Sequence, residues 1–259
     1  MNFSAGAAET FILADAALAA GYQLHVFQTI GSTNDAAFDA ARDGADRTWI
    51  VARAQTSGRG RHGRQWQSPP GNLYASLLLI DAVEPRSAPQ LGFVAGVALA
   101  RALQILMSDV SRIRVKWPND ILLDGAKLAG ILVEGRMLSA GAYAVVIGFG
   151  VNCQSRPADL PYPAAALAET DAVRNKAEDV LALLSAEIAR GLHVLEQGFD
   201  AIRAEWLSLA AGVGAPIKVR TATREFEGVF QSIDATGRLL LTEANGTHAI
   251  EAGDVVLGH

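Results

Sequence analysis

The sequence predicts an α+β protein in two parts, a large domain over residues 1–211 and a small β-rich domain over residues 212–259. Three observations carry this. Segments of helical and of strand periodicity follow one another without internal repeat as far as Leu209. From Gly212 the texture changes to short alternating runs spaced by Thr-Gly and Asn-Gly turns, which implies a small barrel. With 259 residues, half of them apolar, the chain can bury a large core beside a smaller one.

Each element has a local reason. Ala7 to Ala20 reads as a helix ended by Gly21, and Gln23 to Gln28 alternates as a strand does. Ser32 stands as the N-cap of the next helix, with Asp35 three residues on in place of the Glu of a capping box. Trp49 to Ala54 and Asn72 to Ile80 are β-rich. Leu91 to Met107 is the most hydrophobic stretch; Arg101 and Gln104 interrupt it, and it is shorter than the ~20 apolar residues of a membrane span, so it reads as a buried helix. Strands follow near Ile113 to Lys116, Leu128 to Met137 and Tyr143 to Asn152, the last two joined by a Ser139-Ala140-Gly141 turn. Pro157, Pro161 and Pro163 mark Gln154 to Asn175 as a long irregular connection. Ala177 to Leu209 reads as a helix broken near Gly198. The small domain's strands are Ile217 to Thr221, Glu225 to Ile233, Arg238 to Thr242 and His248 to Ala252.

Charge and cysteine content exclude several classes. A net charge of -5 argues against a nucleic-acid-binding body. The single cysteine, Cys153, allows no internal disulfide and fits a reducing compartment. No Lys or Arg precedes Arg42, the opposite of a signal peptide's charged start. The expected location is cytoplasmic.

Lysine usage singles out one segment. Lys116 and Lys127 are two of only four lysines in a chain with 18 arginines. An ammonium on a flexible stem can follow a reacting oxygen in a way the planar guanidinium fork cannot. The Trp117-Pro118-Asn119-Asp120 turn separates two short apolar runs and Lys127 opens the second, which puts a cation at the mouth of a hairpin. A second segment, Gly58 to Gly63, matches G-x-G-x-x-G, but Pro69-Pro70-Gly71 and a strand follow it where a dinucleotide fold needs a helix. What is left is a glycine-hinged loop whose Arg59, Arg61 and Arg64 offer donors to phosphate or carboxylate oxygens and have no obvious carboxylate partners. Trp66 beside them can close over a flat ring. Such a loop is expected to be mobile without ligand and to order over it as a lid.

Six ordered motifs together resemble the biotin protein ligase family. They are Ser32-Thr33-Asn34, the run from Gln55 to Trp66, Asn72-Leu73-Tyr74, Lys116 to Asp120, Lys127 to Glu134, and Gly148-Phe149-Gly150-Val151-Asn152. The resemblance implies a mixed-sheet catalytic domain related to class II aminoacyl-tRNA synthetases and a small C-terminal SH3-like barrel. It implies an ATP-dependent ligase that makes biotinyl-AMP and then biotinylates a lysine on the biotin carboxyl carrier domain of a carboxylase. It assigns biotin contacts to Ser32, Thr33, Asn34, Gln55, Gly58, Arg59, Gly60, Arg61, Lys127 and Gly130. It assigns ATP or adenylate contacts to Arg59, Arg61, Arg64, Trp66, Lys127 and Asn152. Lys127, Arg61 and Asp120 are the implied catalytic residues, with Asp120 also orienting Mg2+ or the incoming amine. A homodimer is an implied assembly.

Plainer readings exist beside these. Ser32 suits a helix cap, Asn119-Asp120 a turn, Asn152 a strand end, Trp117 the core, and Cys153 a small buried hydrophobe. Lipoate ligases and octanoyltransferases are the nearest alternative, and a biotin-sensing regulator is another. An octanoyltransferase needs a reactive cysteine, and Cys153 has no adjacent Lys or Arg. Departures from the family pattern are His62, where relatives place another arginine, and a C-terminus of Leu257-Gly258-His259 without the arginine some relatives carry. About twenty residues precede the catalytic pattern, too few for the family's winged-helix module, so neither DNA nor membrane is an expected partner.

Overall fold

Alternate positions of one strand show how the molecule is layered. In β7 (Tyr143–Val151), Val145, Ile147, Phe149 and Val151 enter the main core, while Ala144 and Val146 meet a second, smaller cluster, and Gly148 and Gly150 continue that second face without side chains. The computed structural model describes residues 10–139, 141–172 and 174–257. Within them β7 lies in a seven-stranded sheet with β1 (Gln23–Ile30), β2 (Thr48–Gln55), β3 (Leu73–Ile80), β4 (Ile113–Lys116), β5 (Asp120–Leu123) and β6 (Ala126–Met137), in the order β1-β2-β3-β7-β6-β5-β4. The β1–β2 pair is parallel and the other pairs antiparallel, so the sheet is mixed.

Each face has its own helical layer. Helix α2 (Thr33–Arg42) sets Ala37, Phe38 and Ala41 against Ile50, Leu78, Ala144 and Val146. On the other face α3 (Ala88–Leu106) lies between the sheet and α4 (Ala177–Glu196) and α5 (Phe199–Leu209). Thirteen of the nineteen α3 residues are buried, which explains a stretch apolar all round. Gly198, at φ 117°, separates α4 from α5 at the break expected from the sequence.

A second sheet follows Gly212. It contains β8 (Pro216–Arg220), β9 (Glu225–Ile233), β10 (Leu239–Glu243), β11 (Gly246–Ile250) and β12 (Asp254–Leu257), in the order β11-β10-β9-β8-β12 and antiparallel throughout. The α+β architecture with a small all-β part is therefore borne out. The two parts share one core, and the indole of buried Trp117 donates from Nε1 to Gly237 O at 3.1 Å across them. Trp117 is a core residue, as its plainer reading has it.

Some expectations need correction. The N-terminal helix α1 is only Asp15–Ala19; Ala7 to Glu9 lie outside the described residues, and Thr10 to Ala14 are not helical. Buried Phe11 and Leu13 anchor that stretch and Ala14 donates its N–H to Ser185 Oγ, so tertiary contacts override alanine's helix propensity. The alternation in β1 does not become alternating burial, because β1 is a sheet edge with most of its residues exposed. Two strands of four residues each, β5 and β12, are absent from the sequence expectation; Asp120 starts β5, and the Asp124-Gly125 turn then leads to Lys127 on β6. The run from His248 is the latter part of β11, which ends at Ile250 before β12 begins. Gly141 takes a turn conformation at φ 85°, with Ala140 outside the described residues.

The Trp117–Gly237 hydrogen bond is expected to matter to stability. Trp117→Phe keeps an aromatic ring but strands a buried carbonyl, a loss of about 1–3 kcal/mol. Urea unfolding of the variant beside the wild type measures it; superimposable curves would assign Trp117 to packing alone.

Candidate active site

The face of the main sheet that carries α2 ends, beyond the helix N-terminus, in a cleft whose floor is made by glycines. Gly130 on β6 pairs with Gly150 on β7, and Leu132 with Gly148. A Cβ on Gly148 would run into the Asn34 carboxamide, and one on Gly150 would stand 2.5 Å from the Trp66 indole. Side chains of α2 and of the arginine loop thus approach the backbone where the sheet has none of its own.

A hydrogen-bonded wall rises from the start of α2. The Thr33 N–H, unpaired within the helix, donates to Gln55 Oε1 at 2.8 Å, and Gln55 Nε2 donates to Ser68 Oγ at 3.0 Å. Buried Ser76 Oγ lies 2.7 Å from Thr33 Oγ1 and 2.6 Å from Asn34 Oδ1, and Asn34 Nδ2 donates to Glu134 at 2.7 Å. Ser32 occupies the N-cap position in extended backbone but makes no side-chain capping bond, which corrects the capping-box expectation; its side chain lines the cleft instead. Short polar groups already fixed by neighbours suit a neutral, directional ligand.

The arginine loop folds over this floor. A bridge between Arg59 and Gln65 and a 3-10 turn at Arg61–Gly63 close it, with His62 at φ 56°. Its arginines do have carboxylate partners, contrary to the expectation. Arg59 makes a bidentate pair with Asp35 at 2.5 and 2.8 Å and lies 3.6 Å from Glu134. Arg64 pairs with Asp254, the first residue of β12, which also sits 3.9 Å from Arg61. Arg61 donates to Asn119 Oδ1 at 3.2 Å and Gly253 O at 3.3 Å, and burial pulls its pKa below the ordinary guanidinium value. Sequence spacing could not show these partners, since Asp254 is 190 residues from Arg64.

Lys127 stands at the mouth. Its ammonium is 2.6 Å from Asp120 Oδ1, and Lys116 lies 3.4 Å from the other oxygen. The rings of Trp66 and Tyr162 are 5.6 and 5.7 Å from Lys127 Nζ. Asp120 is therefore already balanced by two cations, and among the described residues no group of three or more His, Cys, Asp or Glu could hold a metal ion. Asp120 is thus the ion-pair partner of Lys127, a lone carboxylate that would meet a Mg2+ only together with a nucleotide's phosphates.

Every site residue expected from the sequence lines this cleft except Gly58 and Asn152. Gly58 lies behind it, where a Cβ would meet Ser68, Trp66 O and Gln55. Asn152 is buried and donates from Nδ2 to Ala165 O at 3.0 Å, which ties down the connection after β7. The sequence reading passes over Tyr162 and Asp254, both in the lining. Buried Cys153 has its thiol pushed up to about 12 by desolvation, which disfavours the thiolate that a nucleophile needs.

Comparison with known proteins agrees with this geometry. Residues 26–152 match the biotin/lipoate A/B protein ligase family, and residues 212–258 the biotin protein ligase C terminal domain. A biotin--[acetyl-CoA-carboxylase] ligase from Paracoccus denitrificans is 39% identical over 234 residues, 88% of this chain and 97% of that protein. One of the same name from Mycobacterium tuberculosis is 30% identical over 243 residues, 90% of this chain and 88% of that protein. A biotin protein ligase from Aquifex aeolicus, solved in complex with biotin and ATP, has a TM-score of 0.76 at 25% identity and covers 90% of this chain and 97% of that one.

The Asp35–Arg59 pair predicts a pH effect. Hydrogen bonding to Arg59 holds the Asp35 carboxyl below the usual carboxylate range. A carboxyl lowered in the native state lends stability that is present above about pH 4 and is lost as pH falls through the lowered value. Asp35→Asn is expected to flatten that part of the acid limb when unfolding free energy is followed from about pH 5 to about pH 2. Parallel acid limbs would show that the pair contributes nothing.

Proposed function

This chain belongs to the biotin protein ligases of the biotin/lipoate A/B protein ligase family, and we propose that it joins biotin to a lysine of a carboxylase's biotin carboxyl carrier domain in a reaction driven by ATP. The observation that carries the proposal is the placement of Lys127 between a polar wall and an arginine loop, its ammonium held by Asp120. In the first step a biotin carboxylate oxygen attacks the α-phosphorus of ATP, the bond to the bridging oxygen breaks, and pyrophosphate leaves. In the second a carrier lysine amine attacks the carbonyl of biotinyl-AMP, forms the amide, loses a proton and expels AMP.

Two anions meet in the first step, so positioning and charge neutralisation dominate. The wall of Ser32, Thr33, Asn34 and Gln55 suits the ureido ring, and the Gly130–Gly150 floor seats the Trp66 indole against the sheet beside it. Lys127 suits the carboxylate and the α-phosphate together. Arg59, Arg61 and Arg64 can exchange their carboxylates for phosphates. Trp66 suits adenine by stacking, whereas Asn152, occupied with Ala165, acts by holding the backbone nearby. Magnesium would come with the nucleotide's phosphates. On this reading residues 1–211 carry the chemistry and 212–259 contribute Asp254 to the loop's footing. The carrier docks near Asp120 and the small domain, and the enzyme works in the cytoplasm, where Cys153 stays a thiol. A homodimer would use the unpaired edge of β1, where Val26 and Phe27 are exposed.

Octanoyl transfer is disfavoured by the buried, high-pKa Cys153. The direct test incubates the protein with biotin, MgATP and a carrier domain and reads the carrier's mass and the modified lysine. Absence of labelling with biotin, or labelling by lipoate instead, would overturn the assignment.

Two variants follow from the site. Lys127→Ala is expected to slow adenylate formation by about 2.7–4 kcal/mol, the scale of one lost oxyanion donor, while biotin still binds. Pyrophosphate release in a single turnover measures it, and a near wild-type rate would remove Lys127 from the chemical step. Arg61 anchors the loop to Asn119 and Gly253, so Arg61→Gly and Arg61→Gln are each expected to release more free biotinyl-AMP, the glycine variant more because its backbone is also loosened. Protection of the loop from proteolysis with and without biotin reads the lid directly. Equal protection in both states together with unchanged release would leave the loop a static phosphate clamp.

A further inference from the structure

The segment after β7 is irregular, yet it grips Lys127 twice. Pro163 O accepts the N–H of Lys127 at 2.9 Å, and the N–H of Ala165 donates to Lys127 O at 3.0 Å. Ala164 thereby bridges Lys127 in parallel, as a one-residue addition to the sheet beside β6. Both backbone groups of Lys127 are engaged by this strap. The residue that precedes the contact is Tyr162, set between Pro161 and Pro163, and two fixed proline φ angles leave that stretch little conformational freedom. Its ring is delivered over the Lys127 side chain, 5.7 Å from Nζ, with the Trp66 ring also near at 5.6 Å.

We propose that Tyr162 is a positioning residue for the adenylation step: strapped to the Lys127 backbone, its ring confines the ammonium between itself, Trp66 and Asp120, aimed at the reacting oxygens. The proposal rests on the ligase reading given above. The physical case is one of freedom removed. A lysine side chain is long and rich in rotamers, and Asp120 restrains only the tip from one side. Two aromatic faces restrain the remaining directions without competing for the charge, since a ring attracts a cation yet accepts no proton from it. A carboxylate in their place would bind Lys127 more strongly and hold it away from an incoming anion. Tyr162 is itself 42% exposed, so it sits at the mouth of the cleft and not in the core.

The ring and not the hydroxyl is what this role needs. Tyr162→Leu is expected to lower the single-turnover rate of pyrophosphate release about three- to thirty-fold, the span of a lost cation–ring contact, with biotin affinity within about twofold of wild type. Tyr162→Phe should restore the rate. A second reading does not depend on the reaction. Pulse labelling with an amine-acylating reagent, analysed by mass spectrometry at Lys127, should run faster in the leucine variant than in the wild type or the phenylalanine variant. Loss of biotin affinity in step with rate, a phenylalanine variant as slow as leucine, or equal labelling of Lys127 in all three would each overturn the proposal. If the wild type makes no biotinyl-AMP, the ligase reading fails, and the labelling comparison still decides whether Tyr162 confines Lys127.

Discussion

The absence of side chains at Gly130, Gly148 and Gly150 is the constraint on which the rest of the site depends. Along β7, Ala144 and Val146 lie under α2 and fill the gap between helix and sheet. Two residues further on the same face reaches past the helix N-terminus. Any side chain there would push Asn34 off Ser76 and Glu134, or lift Trp66 from the sheet. The period of two in a strand makes this possible at little loss. Val145, Ile147, Phe149 and Val151 go on building the main core on the opposite face, so the cleft is opened without thinning the hydrophobic support beneath it.

Charge is arranged in two grades above that floor. Arg64 is 62% exposed, and its partner Asp254 is 40% exposed. Exposed ion pairs of this kind are worth about 0–1 kcal/mol, so their exchange for a polyphosphate, which offers several oxygens and more charge to the same guanidinium, costs little. Lys127 and Asp120 are far less accessible, at 19% and 12%. Breaking that pair leaves a charge poorly solvated, and an incoming anion must take Asp120's place at the ammonium or share it. Arg64 thus suits easy exchange, whereas Arg61, 20% exposed, is held about as closely as Lys127. Asp120 keeps the lysine ready in the same way that Asp35 and Asp254 keep the loop folded.

The sequence makes the chemistry more legible than the connections. Lys127 stands out because lysine is scarce, and the glycines of β6 and β7 stand out because they interrupt apolar strands. Both are statements about residue type, which a sequence displays directly. Asp254 lies in the small domain and Asp35 in α2, and their pairing with the loop exists only once distant elements are folded together. Tyr162 is hidden in a proline-rich stretch with no periodicity, where a sequence announces irregular structure but not what that structure touches. The N-terminal segment misleads for a different reason. Its alanines favour helix locally, and burial of Phe11 and Leu13 outweighs that preference. β5 is hard to see because it is only four residues long, with a turn on either side.

Two chain segments far apart in sequence meet at one ammonium, and that meeting bears on how a two-step reaction can be ordered. The loop brings Trp66 from between β2 and β3; the strap brings Tyr162 from after β7. The strap is fixed by both backbone groups of Lys127, and Asn152 adds a further tie at Ala165. The loop is fixed by arginine pairs that phosphate can replace. The two walls of Lys127 therefore differ in what holds them. On the proposed reading a nucleotide would exchange the arginine pairs that foot the Trp66 wall, whereas the strap's backbone ties to Lys127 do not depend on those pairs. A mixed anhydride needs such an asymmetry. One side must close tightly enough to exclude water during the first step and open for an amine in the second, while the group that aligns the reacting oxygens holds its place through both.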